Sequence, residues 1–240
     1  MASFLRYLKL MFGLGLLALV QTSFIAIPEY SKADLIGDID PSTHRDFDKM
    51  RSKYCSKTSY LREDCYDAFK DMWAAARKDG IQLIVVSAAR SRSYQKGIWN
   101  RKWLTFGGAE SSRAEKILQY SSMPGTSRHH WGTDLDLNAL NNEYFENGEG
   151  AKIYAWLSAH AGEYGFFQPY TAFNPYRDAG YREEKWHWSY YPIASQMQRA
   201  YRKMIGYSDL KGFMGDEYAE KLKVINNYVM GIEGPNWLAP

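Results

Sequence analysis

Residues 133–137, TDLDL, alternate with a period of two, and a chain buries that pattern most simply as a strand with one face on a core. Thr133, Leu135 and Leu137 then share one face, and Asp134 and Asp136 share the other. Gly132 lets the backbone turn sharply just ahead of the strand, so that His129, seven residues before Asp136, can swing back toward the acids. Taken alone, this fits a polar loop meeting a hydrogen-bonded strand acid as well as it fits an imidazole and a carboxylate holding one ion.

A second short stretch weighs on that choice. In residues 183–190, EEKWHWSY, the alternation puts Trp186 and Trp188 on a packed face and His187 on the opposite one. Glu184 lies across the strand from His187 in a regular ladder, so the two meet only if the backbone bends at Lys185. Hydrolytic zinc sites use three protein ligands and leave a fourth position for water. His129, Asp136 and His187 supply three such ligands, leaving Glu184 as the base. Two cysteines, Cys55 and Cys65, cannot build a cysteine-rich zinc site, and their spacing leaves a disulfide and a pair of free thiols equally open.

The remaining pattern is that of an α+β domain: a small antiparallel sheet with flanking helices. Ser59 caps an expected helix running to Lys78, with Tyr66, Phe69, Trp73 and Ala76 as its core stripe and Gly80 as its stop. Residues 81–86 read as a buried strand. Helices are expected from about Ser93, over residues 109–120, over the amphipathic run that places Ile153, Trp156, Leu157 and His160 on one face, and over residues 216–230. Arg6 and Lys9 precede an apolar run over residues 10–20, so residues 1–26 read as a signal peptide or, alternatively, an uncleaved membrane anchor. The further divisions are an irregular segment over 27–58, the catalytic domain over 59–192 and a C-terminal helical extension over 193–240, packed on the same domain. Removing residues 1–26 takes away two of the 30 basic residues and none of the 27 acids, which leaves a net charge of +1 and no basic footprint for nucleic acid.

The pattern S127-x-H129-x-x-G132-x-D134-x-D136, followed by E184-x-x-H187, resembles the S-x-H-x-x-G-x-A-x-D and E-x-x-H pair of the zinc D-alanyl-D-alanine carboxypeptidases (VanY-like), which belong with the lysostaphin-type and hedgehog-type domains. The resemblance also takes in SAARSRSYQKGIWNRKW and spans roughly residues 60–192. It implies a hedgehog-like α+β fold, Zn²⁺ on His129, Asp136 and His187, and Glu184 as catalytic base. It further implies that Arg90 holds the substrate carboxylate or the developing oxyanion, and that Ser127 and Gln95 help position the peptide. Peptidoglycan stem peptides are the implied partners, and an exported, periplasmic or cell-envelope enzyme is the implied setting, with the membrane touched only through the N-terminal segment. The bond the resemblance points to is D-Ala–D-Ala, which the sequence itself does not fix; L,D-carboxypeptidase, L-Ala–D-Glu endopeptidase and non-catalytic wall-peptide binding are the alternatives. Asp134 departs from the family's alanine. It is grouped with the substrate-binding residues, and its other readings are a partner behind the ligands or a competing ligand. The S-x-x-K match at Ser93–Lys96 stands without the other motifs of serine-type peptidases.

Overall fold

A computed structural model describes residues 30–235, so the signal or anchor segment expected over residues 1–26 lies outside the described residues. Four short strands form the central antiparallel sheet: β3 (Val85–Ser87), β4 (Asp134–Leu137), β5 (Phe166–Phe167) and β6 (His187–Tyr190), in the order β3-β4-β6-β5. A separate two-stranded ribbon pairs β1 (Phe47–Lys49) with β2 (Tyr60–Arg62). The α+β class with a small antiparallel sheet is therefore as the order of expected strands and helices implied.

The sheet has two unlike faces, as its period of two requires. Val85, Leu135, Leu137, Phe166 and Trp188 face a core completed by α2 (Glu63–Lys78) and α5 (Gly148–His160), including Phe69, Met72, Ile153 and Leu157. A second apolar cluster gathers Trp99 and Trp103 of α3 (Arg92–Thr105), Ile117 of α4 (Glu110–Leu118), and Met197 and Tyr201 of α6 (Tyr191–Met204). Asp134, Asp136 and His187 lie on the sheet's polar face, buried but outside both apolar clusters.

Several elements differ from their sequence expectation, each for a local reason. Residues 60–62 pair with β1, so α2 begins at Glu63, not after a Ser59 cap, and its N-cap, Arg62, makes no side-chain cap bond. Of residues 81–86 only the end joins the ladder, where Val85 pairs with Leu137 on one side and bridges Cys55 on the other. The segment expected to be irregular carries α1 (Lys32–Ile36), capped by a Ser31–Asp34 box, and β1. Arg62 ties it down by donating to the Trp131 carbonyl (2.9 Å), Asp46 (2.9 Å) and Asp34 (3.3 Å). The helix expected over residues 216–230 is broken into α7 (Tyr218–Lys221) and a π-helical turn over Ile225–Val229, because Lys223 sits at φ 50° between them. That turn lets the successive residues Val224 and Ile225 both reach the core. Cys55 and Cys65 are separate, buried free thiols. His160, expected on a buried stripe, ends α5 at the surface and pairs with Glu163 at 2.8 Å.

Candidate metal centre

The centre is assembled by ladder register. β4 and β6 pair antiparallel with Asp136 directly opposite His187 and Asp134 opposite Ser189, so the polar faces of the two strands bring two acids and an imidazole together. His129 arrives on a 3-10 turn (Arg128–Trp131) that Gly132 ends at φ 69°. A Cβ at Gly132 would lie 2.2 Å from a Phe47 ring carbon, so glycine is required there for space as well as for backbone conformation.

His129 Nδ1 donates to the Ala88 carbonyl at 3.0 Å, which leaves Nε2 turned to Asp136 Oδ2 at 3.3 Å. His187 divides its nitrogens between two acids: Nδ1 lies 3.0 Å from Asp136 Oδ1 and Nε2 lies 3.0 Å from Asp134 Oδ1. The two imidazoles meet edge to face with centroids 4.8 Å apart, and one donor atom from each of His129, Asp136 and His187 lies within 4.8 Å of the others. Each histidine has one nitrogen engaged by a group outside the triad and the other aimed inward, as metal-ligating histidines usually do. Two imidazole nitrogens and a carboxylate suit Zn²⁺, and three protein ligands leave a coordination position on the open side.

Glu184 stands on that side. The His187 amide donates to the Glu184 carbonyl at 3.2 Å, closing a tight turn through Lys185 and Trp186. This supplies the bend the E-x-x-H spacing needed and brings Glu184 Oε2 to 3.6 Å from His187 Nδ1. Burial pushes Glu184 up to about 8; His187 pulls against that, and the charge of Asp136 adds to it. Burial and the nearby Arg90 guanidinium lower His129 to about 4. Burial also opposes charge on His187, but its hydrogen bonds to Asp134 and Asp136 prevail and raise it to about 9.

A cavity of about 560 Å³ opens over these residues, and Arg90, Lys102, Ser127, Tyr170 and Trp186 contribute to its walls. Arg90 is braced from behind: its Nη1 donates to Gln95 Oε1 (3.3 Å), and the Gln95 amide donates to the Ser122 carbonyl (2.8 Å). Arg90 Nη2 lies 3.9 Å from Asp136 Oδ2, within reach of the centre. Its Nε is buried with no hydrogen-bond partner among the described residues. Ser127, which the resemblance groups with the substrate-binding residues, lines the cavity. Gln95 and Asp134, grouped with it as substrate-facing, are placed elsewhere. Gln95 is buried behind Arg90, and Asp134 is wholly buried behind His187; neither lines the cavity.

Three contributors carried no sequence signal. Lys102 extends from α3 into the wall beside Arg90, burial and that guanidinium lowering its pKa. Tyr170 packs its ring on His187 at 4.7 Å, and its carbonyl accepts the Glu184 amide at 2.9 Å. Arg128, inside the motif at a position the family pattern leaves free, is fully buried against Asp134.

Comparison with known proteins agrees with this geometry. The family model VanY, D-alanyl-D-alanine carboxypeptidase, matches residues 58–193. The protein YodJ of Bacillus subtilis (strain 168) is 30% identical over 214 residues, covering 88% of this chain and 69% of that protein. A D-alanyl-D-alanine carboxypeptidase of Enterococcus faecalis (strain ATCC 700802 / V583) is 30% identical over 127 residues, 52% of this chain and 46% of that protein. Among solved structures, a variant of the vancomycin-resistance D,D-pentapeptidase VanY in complex with Zn(II) superposes with a TM-score of 0.51 at 23% identity, covering 75% of this chain and 92% of that one, a likeness of fold. The chain belongs to the VanY family of D-alanyl-D-alanine carboxypeptidases.

Proposed function

We propose that this chain uses Zn²⁺ held by His129, Asp136 and His187 to remove the terminal D-alanine from peptidoglycan stem peptides. The observation that carries the proposal is the convergence of those three donors beneath a cavity that also holds Glu184 and Arg90. When bound, zinc acidifies a coordinated water and polarises a carbonyl as a Lewis acid.

The chain's own groups do the rest. Glu184 takes the proton of the attacking water and returns it to the leaving amine. A carboxylate pushed up to about 8 by burial is well placed to hold that proton, and a dication among its neighbours favours the charged form and draws it back toward neutral pH. The Arg90 guanidinium offers a fork that fits both oxygens of a terminal carboxylate, and the Gln95 brace limits where it can swing. This favours trimming of a free C-terminus over cutting inside a cross-bridge. Ser127 and Trp186 shape the wall along which the penultimate residues lie. Export belongs to the same proposal: the substrate lies outside the cytoplasmic membrane, and Arg6, Lys9 and the apolar run over residues 10–20 have the composition of an export segment.

Incubation with muropeptides ending in D-Ala-D-Ala, followed by mass analysis, tests the proposal. The expected product has lost one alanine. Loss from tetrapeptide stems alone would make the enzyme an L,D-carboxypeptidase, and intact stems with zinc bound would make it a binding module. Glu184→Gln is expected to retain zinc and to lose hydrolysis about 10²- to 10⁴-fold, the range for removal of a general base. Full activity in that variant would remove Glu184 from the mechanism.

A further inference from the structure

The second acid of the Asp-x-Asp strand takes no part in the steps above, yet it is among the most completely engaged groups in the protein. Asp134 is 0% exposed. Its Oδ1 accepts from His187 Nε2 (3.0 Å) and from Arg128 Nε (3.0 Å), and its Oδ2 accepts the Thr133 hydroxyl (2.6 Å). Arg128 is itself buried, lies over the Trp131 ring at 4.7 Å, and passes Nη2–H to the hydroxyl of Ser189 at 2.7 Å. Ser189 stands directly across the ladder from Asp134, so the two strands that carry the ligands are also linked through Asp134, Arg128 and Ser189.

We propose that Asp134, held by Arg128, is a positioning residue that fixes the proton of His187 on Nε2 and so presents Nδ1 to the cation. This rests on the metal reading of the centre. A neutral imidazole has a single N–H, and the nitrogen that carries it cannot ligate. Carboxylates face both nitrogens at 3.0 Å, but Asp136 belongs to the ligand set whereas Asp134 is held by Arg128, which makes Asp134 the acceptor that keeps the N–H on Nε2. The ring is also held in place, since Tyr170 packs on it and Asp134 grips its far nitrogen. Arg128 explains why a second acid two residues from Asp136 is tolerated. Its charge compensates Asp134, and with Oδ1 accepting twice and Oδ2 taken by Thr133, Asp134 is not free to compete for the ion. The family pattern carries alanine here, so the acid and its buried arginine act as a unit added to the common centre.

Two measurements test the proposal without reference to turnover. In protein labelled with ¹⁵N and loaded with ¹¹³Cd²⁺, metal–nitrogen coupling is expected at Nδ1 of His187 and Nε2 of His129, with a slowly exchanging Nε2–H on His187. Coupling at Nε2 of His187 would overturn the inference. Asp134→Ala is expected to weaken zinc 10- to 100-fold in chelator competition, with Asp134→Asn, which keeps an acceptor, falling between. Should Asp134→Ala not fold, the double variant Arg128→Met/Asp134→Ala removes both buried charges together and carries the same expectation. A folded variant of either kind that binds zinc within twofold of wild type would show that the network only supports the fold. A wild-type protein that binds neither Zn²⁺ nor Cd²⁺ would instead end the metal reading on which the inference rests.

Discussion

His130, the neighbour of the first ligand, sets a pH limit on the fold that can be worked out from its contacts. It is fully buried, its Nε2 accepts the Gly125 amide at 3.1 Å, and its Nδ1 donates to the Arg90 carbonyl at 2.7 Å. The ring is thus used once as acceptor and once as donor, which only the neutral form can do. Protonating it would set an N–H against the Gly125 N–H in a site without solvent. Burial accordingly lowers its pKa to about 3, against the pull of the Arg90 carbonyl. Because the folded value lies below the unfolded value of about 6.5, the unfolded chain binds the extra proton between the two. The stability this histidine contributes is complete above pH 6.5 and is lost as the pH falls. Between pH 7 and pH 5 the loss is about 2 kcal/mol, a figure set by the unfolded pKa provided the folded one stays below about 4.

The assay is urea unfolding of wild type and His130→Gln at pH 7, 6 and 5, in saturating zinc and again in chelator. The ligand histidines titrate in both proteins, so the difference between their pH slopes reports His130. Wild type is expected to lose about 2 kcal/mol more than the variant over that interval. Parallel slopes would refute the assignment of a neutral, doubly bonded imidazole.

Further outcomes follow from other contacts. His187→Ala is expected to leave less than one zinc per chain after dialysis, and unchanged metal content would remove it from the ligand set. Gln95→Leu takes away the brace on Arg90 and is expected to raise KM for D-Ala-D-Ala-ended peptides about tenfold with little change in kcat, worth about 1.4 kcal/mol; an unchanged KM would place the brace outside substrate binding. Gly132→Ala meets both a positive φ and the Phe47 ring and is expected to cost about 3 kcal/mol in denaturant unfolding. Phe47→Leu in that background is expected to restore only the steric share.

What the sequence made legible is whatever rests on short periods. The alternation in residues 133–137 and 186–190 assigned the leucines and tryptophans to one face and the acids and His187 to the other, and the β4–β6 register bears this out for Leu135 opposite Trp188 and Asp136 opposite His187, while Trp186, ahead of the ladder, also lines the cavity. The bend that brings Glu184 to His187 was not legible, because it is held from elsewhere in the chain. Asn142 accepts the Lys185 amide at 3.1 Å and donates to the Glu183 carbonyl at 2.9 Å. The places of Gln95 and Asp134, both grouped with the substrate-binding residues, were not legible for the same reason: their partners, the Ser122 carbonyl and the Arg128–Ser189 pair, are fixed by tertiary packing. Helix α6 did carry signals in Pro192 at its first turn and in Ala194, Met197 and Tyr201, but it starts directly after β6, with no loop to separate the two patterns. The ribbon of β1 and β2 is three residues wide on each side, too short for an alternation to show.

The charges around His187 tie these pieces into one argument. Three carboxylates approach this imidazole: Asp134 and Asp136 at 3.0 Å and Glu184 at 3.6 Å, all of them buried. Asp134 is already matched by Arg128, so its charge is settled within the fold. Asp136 and Glu184 are left to share His187, an Arg90 guanidinium 3.9 Å from Asp136 and, for Glu184, the charge of Lys102 on the cavity wall. Ionising both acids out of water costs several kcal/mol per ion before compensation. The raised pKa of Glu184 is one sign of that debt. A dication on His129, Asp136 and His187 compensates both acids at once, and its binding free energy adds to stability as RT ln(1 + [Zn²⁺]/Kd). The grouping that makes the site chemically useful is therefore also the grouping that makes the folded chain favour the metal.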